Sequence, residues 1–153
     1  MEFSPSKLNT FLLFKLPSAY ISGVRVKQIN KEQCVVTVKH RWINQNPFNS
    51  MYFAVQAMAA ELTTGALVMY HIQESGRKIS MLVANNKGTF TKKAKGRITF
   101  TCTDGHLIKD GIEQAIVTAE GQTFWMKSIG VDEAGDVVSQ MEFEWSINCL
   151  LYT

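Results

Sequence analysis

The sequence predicts an α+β protein in which a curved antiparallel sheet of five to six strands wraps one long central helix. Three observations carry this reading. Residues 51–70 (MYFAVQAMAAELTTGALVMY) are apolar around the whole circumference of a helix, with Glu61 their only acid, and a helix hydrophobic on all sides is a buried one. Runs with the two-residue period of strands lie on both sides of it, two before and four after. Hairpin-like spacing makes those strands antiparallel, so the helix is a crossover about which the sheet must curl.

Taken in order, Ser4-Pro5 opens a short helix with Pro at its first position and Leu8, Phe11 and Leu12 on one side, and Pro17 ends it. Residues 19–30 read as a weak strand and the hairpin partner of the next. There Cys34, Val36, Val38, His40 and Trp42 alternate with Val35, Thr37, Lys39 and Arg41. Asn46-Pro47-Phe48-Asn49 is a turn, with Asn49 as the expected N-cap of the long helix and Phe48 placed to staple onto Phe53. The helix is expected to run to about Ile72, a rod of about 33 Å. Residues 79–91 and the alternating Ile98, Phe100 and Cys102 form the next two strands, with a hairpin turn near residues 92–96. Residues 104–111 and 130–135, rich in Gly and Asp, read as loops around a strand at 114–128. The last and clearest strand is 137–151, where Val137, Ser139, Met141, Phe143, Trp145, Ile147, Cys149 and Leu151 share a face.

Composition bounds what such a protein does. A chain of 153 residues, 46% hydrophobic and 19% charged, is expected to form one domain over residues 1–153 with a real core. Residues 51–70 reach the lower length limit of a membrane span, but Gln56, Glu61, Thr63, Thr64 and Gly65 interrupt them and no cationic flank follows. The first twenty residues lack the basic start and long apolar run of a signal peptide. Three widely spaced cysteines, Cys34, Cys102 and Cys149, point to reduced thiols and a cytoplasmic location. No Asp or Glu occurs from Ser75 to Thr103, a stretch holding Arg77, Lys78, Lys87, Lys92, Lys93, Lys95 and Arg97. Such a basic block suits a small phosphate-bearing ligand; nucleic acid is disfavoured because no nucleic-acid-binding motif accompanies it. His40, His71 and His106 make no metal-binding spacing with the cysteines, so neither a metal nor a bound cofactor is expected.

Two local patterns then become recognisable. Glu61 follows Asn46 by fifteen positions, with the helix start between them. Phe90-Thr91-Lys92-Lys93-Ala94-Lys95-Gly96-Arg97 reads as a strand-ending aromatic followed by a hairpin. In both, the chain resembles the hotdog-fold thioesterase superfamily, in particular the phenylacetic-acid-pathway type of acyl-CoA thioesterase. It is most similar to a subfamily known as a domain of unknown function, which favours an Asn-Pro-Phe entry and an Ala-Ala-Glu helix centre. The resemblance spans nearly the whole chain. It departs where those enzymes carry His-Gly-Gly at the helix start, here Tyr52-Phe53-Ala54, and a Ser or Thr on the following strand, here near Val83. No His lies between His40 and Glu61, which disfavours the dehydratase chemistry of other hotdog proteins.

What the resemblance implies is hydrolysis of an acyl thioester, carried by coenzyme A or an acyl carrier protein, with coenzyme A entering only as part of the substrate. Glu61 is the general base, in a dry setting that raises its pKa. The N–H of Phe53, eight residues earlier, polarises the carbonyl with the help of the helix dipole. Asn46 orients water or the acyl carbonyl. Donor and carboxylate come from different subunits in that group, so a homodimer or a dimer of dimers (a homotetramer) is expected. Asn49, Tyr52, Thr64 and Val83 are candidate substrate contacts, and Lys92, Lys93 and Lys95 candidate partners of the coenzyme A phosphates. Read from the residues alone, the alternatives are that Glu61 is a structural carboxylate tied to a hydroxyl or amide of a neighbouring subunit, with Thr64 as a local candidate, Asn46 a turn former, and His40 a satisfied core histidine. The alternative function is a non-catalytic acyl or acyl-CoA binding module. The Met- and aromatic-rich helix start points to a medium or aromatic acyl group.

Overall fold

The structure is a computed structural model and describes residues 2–150. Helix α1 (Pro5–Lys15) starts as expected, with Ser4 accepting a hydrogen bond from the Lys7 N–H and Pro5 in the first turn. Proline 17 ends it and immediately opens a second helix, α2 (Pro17–Ile21), where a strand was expected from residue 19. A proline disfavours helical backbone in the residue before it and favours it in its own turn. Strand β1 is therefore only Arg25–Ile29, paired with β2 (Cys34–Lys39). Strand β2 stops short of Trp42, which lies in a 3-10 turn (Trp42–Asn44) and is 82% exposed rather than on the apolar face.

The central helix α3 (Phe53–Ser75) is capped by extended backbone at Tyr52, and Asn49 is not its N-cap. Asn49 instead takes a left-handed conformation (φ 58°) within the turn before it, a conformation Asn tolerates better than most residues. Phe48 is 71% exposed, so it forms no staple. Gly76, with φ 65°, ends α3 in a left-handed cap that a side chain would strain. Then come β3 (Ile79–Phe90), β4 (Arg97–Cys102), α4 (Gly105–Thr118), β5 (Gln122–Val131) and β6 (Val137–Cys149). Helix α4 replaces the expected loop at 104–111 and the first third of the strand expected at 114–128. Leu151, expected on the last strand, lies outside the described residues.

The six strands form one antiparallel sheet in the order β1-β2-β4-β5-β6-β3, curved around α3 in the hotdog arrangement. Strand β3 pairs with β6 along its whole length, from Ile79 opposite Cys149 to Phe90 opposite Ser139. It does not pair with β4, so residues 92–96 are a crossover past the start of α3 rather than a hairpin turn. The two sheet edges are treated differently. Asn9 of α1 donates to Val26 O (3.0 Å) and accepts from Val26 N–H (2.8 Å), closing the β1 edge as a further strand would. Strand β3, the other edge, carries no such cover among the described residues. The concave face holds the core, where Val36, Val38, Ile98, Phe100, Met126 and Ile147 pack against Ala59, Leu67 and Val68 of α3. No described helix is long and apolar enough to cross a membrane.

Candidate functional site

Glu61 sits on the flank of α3 that faces the seam between α1 and the sheet residues Met81 and Trp145. It lines a cleft of about 280 Å³ with Met58, Leu62, Lys15 and the Leu16–Pro17 corner between α1 and α2. Among the described residues nothing hydrogen-bonds or ion-pairs with its carboxylate. Burial without such a partner pushes its pKa up to about 7. Thr64, expected as its local partner, serves the backbone instead: its hydroxyl donates to Glu61 O (2.8 Å) and accepts from Trp145 Nε1 (2.9 Å). The wall beside the carboxylate is made by Trp145 and an absence. A methyl group at Gly65 would lie 3.1 Å from Trp145 Cζ2 and 3.2 Å from Glu61 Oε1. The missing side chain thus lets the indole and the carboxylate share one small space, and Thr64 fixes the indole there.

The start of α3 forms a second, larger cleft of about 550 Å³, lined by Asn46, Phe48, Tyr52, Phe53, Phe90 and Lys93 among others. The N–H groups of Phe53 and Ala54 have no acceptor among the described residues, as expected for a first helical turn. Their surroundings are aromatic, with the Phe53 ring edge-on to Tyr52 (5.1 Å) and Phe90 (6.2 Å). The side chain of Asn46 is spent on the turn, its Oδ1 accepting from the N–H groups of Phe48 (2.9 Å) and Ser50 (3.2 Å) and its Nδ2 donating to Ser50 Oγ (3.0 Å). Asn46 therefore shapes the entrance through the backbone. Eight residues separate Phe53 from Glu61, about 12 Å along the axis. Within one chain those two groups do not reach the same carbonyl.

The lysines divide. Lys92 is held by two carboxylates, Asp132 (2.6 Å) and Asp136 (2.7 Å), so its charge is already matched. Lys93 reaches only Phe48 O, at 3.4 Å, and Lys95 is exposed. Val83 is half-buried on β3 opposite Trp145, beside an irregularity in the strand. His40 is not a satisfied core histidine, since its Nε2 is buried with no hydrogen-bond partner among the described residues. The three cysteines are buried and free, with Cys34 directly across from Cys102 on the neighbouring strand, and burial pushes both of those thiols up to about 12. At that value they are not nucleophiles near neutral pH. Reading the sequence missed two features of this region. One is the Trp145–Gly65 wall, which depends on contact between distant segments. The other is Gln56, one turn into α3, which is buried with no partner for its Oε1 and also lines the entrance cleft.

The family model described as Domain of unknown function (DUF4442) matches residues 6–147. The chain belongs to that family. This DUF4442 member is similar along nearly its whole length to solved structures of low sequence identity. A Pseudomonas aeruginosa protein described as of unknown function and a probable thioesterase is 22% identical, with 96% of this chain and 97% of that one covered at a TM-score of 0.79. A Chlorobaculum tepidum protein of unknown function is 14% identical, with 94% and 93% covered at 0.80. A Haemophilus influenzae thioesterase is 12% identical, with 99% and 95% covered at 0.76. These likenesses agree with the hotdog fold of the DUF4442 chain. No curated protein is significantly similar to it in sequence.

Proposed function

We propose that this protein hydrolyses an acyl thioester at a site built from two copies of the chain, with Glu61 of one copy as general base and the Phe53 N–H of the other as carbonyl donor. The observation that carries the reading is the carboxylate itself: half-buried, without a hydrogen-bond partner, and with a proton affinity set near neutrality. A base at that point takes a proton from water at neutral pH and returns it to the leaving thiolate. Water adds to the thioester carbon, the oxyanion rests on the helix-start N–H, and collapse expels the thiol. The names of similar structures, a probable thioesterase and a thioesterase, support the same class.

Distance and the sheet edge support a second copy. A carbonyl held by the Phe53 N–H of one chain lies about two turns from that chain's own Glu61. The twelve-residue β3 is an uncovered edge, and such edges pair. Met81 of β3 lines the space next to Glu61, so antiparallel pairing of two β3 strands about a two-fold axis sets each Glu61 beside the other chain. Lys93 and Lys95 are then the cations left to meet the carrier's phosphates, while Lys92 orders the loop at residues 132–136. A binding module without turnover is the second reading, and the aromatic crowding of Tyr52, Phe53 and Phe90 around the donor favours it. An acyl-CoA panel with a thiol-reactive dye separates the two. Thiol release that disappears in Glu61→Gln supports hydrolysis; saturable binding with no release by the unmodified protein supports the module.

A further inference from the structure

The space beside Glu61 does not end there. The cleft at the Leu16–Pro17 corner shares Leu16, Glu61 and Leu62 with a narrow slot of about 60 Å³ beneath α1. That slot shares Met69 and Met81 with a third space of about 310 Å³, which reaches Phe3, Ile72 and Arg77. Each sharing wall residues with the next, the three spaces follow one another along α3 and together outline a channel. The helix presents Met58, Glu61, Gly65, Met69 and Ile72 to it, at the three- and four-residue steps of a single face. The opposite wall comes from Leu8, Phe11 and Leu12 of α1 and from Met81 and Trp145 of the sheet. Because Asn9 ties α1 to the β1 edge, the helix bridges over α3 and leaves the slot beneath it.

We propose that this channel is the binding site for the tail of an unbranched, medium-to-long acyl chain, carboxyl end at Glu61 and methyl end towards Phe3, and that Met69 and Ile72 set the longest chain accepted. The inference rests on the proposed function for its orientation and names the substrate class. Glu61 to Ile72 is eleven residues, so the channel is about 17 Å long, room for about twelve methylenes in extended form. Its charged groups stand at the two mouths, Lys15 at the corner and Arg77 at the far end; between them only Glu61 carries a charge. Met58, Met69 and Met81 line the channel, and thioether side chains adapt to a flexible guest better than branched ones. Chain-length selection thus lies towards the C-terminal half of α3, away from the aromatic helix start where the sequence pointed.

The test measures binding in the Glu61→Gln protein, where turnover does not interfere, with dodecanoyl-CoA and hexanoyl-CoA as probes. Met69→Trp fills the narrow slot and Ile72→Trp the far end; both positions are half-buried. Val117→Trp, on the exposed face of α4, controls for an added indole. The expected result is that Met69→Trp weakens dodecanoyl-CoA at least tenfold and hexanoyl-CoA less than twofold. With decanoyl-CoA and tetradecanoyl-CoA as further probes, Ile72→Trp should spare the shorter and weaken the longer, and Val117→Trp should change nothing. Equal weakening of short and long chains by Met69→Trp and Ile72→Trp, or no weakening of either, overturns the proposal. Failure of the unmodified protein to hydrolyse any thioester would sink the catalytic reading and leave this result standing on binding alone.

Discussion

The two faces of α3 bury polar groups on opposite terms. On the face turned to the sheet, the hydroxyl of Thr63 hydrogen-bonds Ala60 O (2.6 Å) and Ser128 Oγ (2.9 Å), and Thr64 is tied to both its own helix and Trp145. On the face turned to the seam beneath α1, the carboxylate of Glu61 has no partner among the described residues. Thr63 and Thr64 sit two and three residues from Glu61, and both have their hydroxyls satisfied. An unpaired carboxylate in the same helix costs stability, and that cost is the ground on which a chemical role for Glu61 is proposed.

Removing the unpaired group should have the largest effect. Glu61→Gln keeps the shape and removes the base, so thiol release should fall at least about a hundredfold while the circular dichroism spectrum is unchanged. The same variant should be more stable than the parent at alkaline pH. The folded state holds the proton of Glu61 up to about pH 7, against an ordinary value of 4.5, so folding favours the protonated form. Its stability contribution is complete below the unfolded value and is lost as pH rises through 7. Urea melts should therefore show Glu61→Gln ahead by on the order of 2–3 kcal/mol at pH 8, with the gap closing towards pH 4. A gap constant with pH would mean that Glu61 is paired in solution.

Changes to the satisfied face should do the reverse. Thr63→Val strands the Ser128 hydroxyl in the core and should cost about 1–3 kcal/mol in urea melts with little change in turnover. Smallest of all is Trp145→Phe, which removes the donor to Thr64 and opens the wall at Gly65. Water reaching Glu61 should move the acid limb of the pH–rate profile to lower pH by less than about one unit. An unmoved limb would separate the wall from the base.

How much of this was legible depended on range along the chain. The all-round apolar helix, its lone acid and the alternation in β6 are local patterns, and the expected helix and last strand stand close to where they were read. Helix α4 was hidden by its glycines. Gly105 lies against the Lys31–Glu32 backbone and Gly111 against the Phe124 ring, so both serve close packing where they imitated turn residues. The buried spacing of Ile108, Ile112 and Ala115 was the signal that should have outweighed them. The apparent hairpin at residues 92–96 failed because β3 finds its partner almost sixty residues on in the chain, in β6. Lys92 looked available because Asp132 and Asp136, its partners, are likewise distant. The channel beside Glu61 is a product of where α1 and the sheet edges meet, and no local pattern encodes that.

The central claim, one site from two chains, is tested most directly by mixing two inactive proteins. Phe53→Pro deletes the donor N–H at the first position of α3, where proline is tolerated, and Tyr52 before it already has the extended backbone proline requires. Phe53→Ala controls for loss of the ring. Denatured together and refolded, Glu61→Gln and Phe53→Pro chains form mixed dimers in which one site has both an intact base and an intact donor. The account predicts that thiol release returns in the mixture while each protein alone stays inactive. A mixture of dimers as inactive as its components would contradict it.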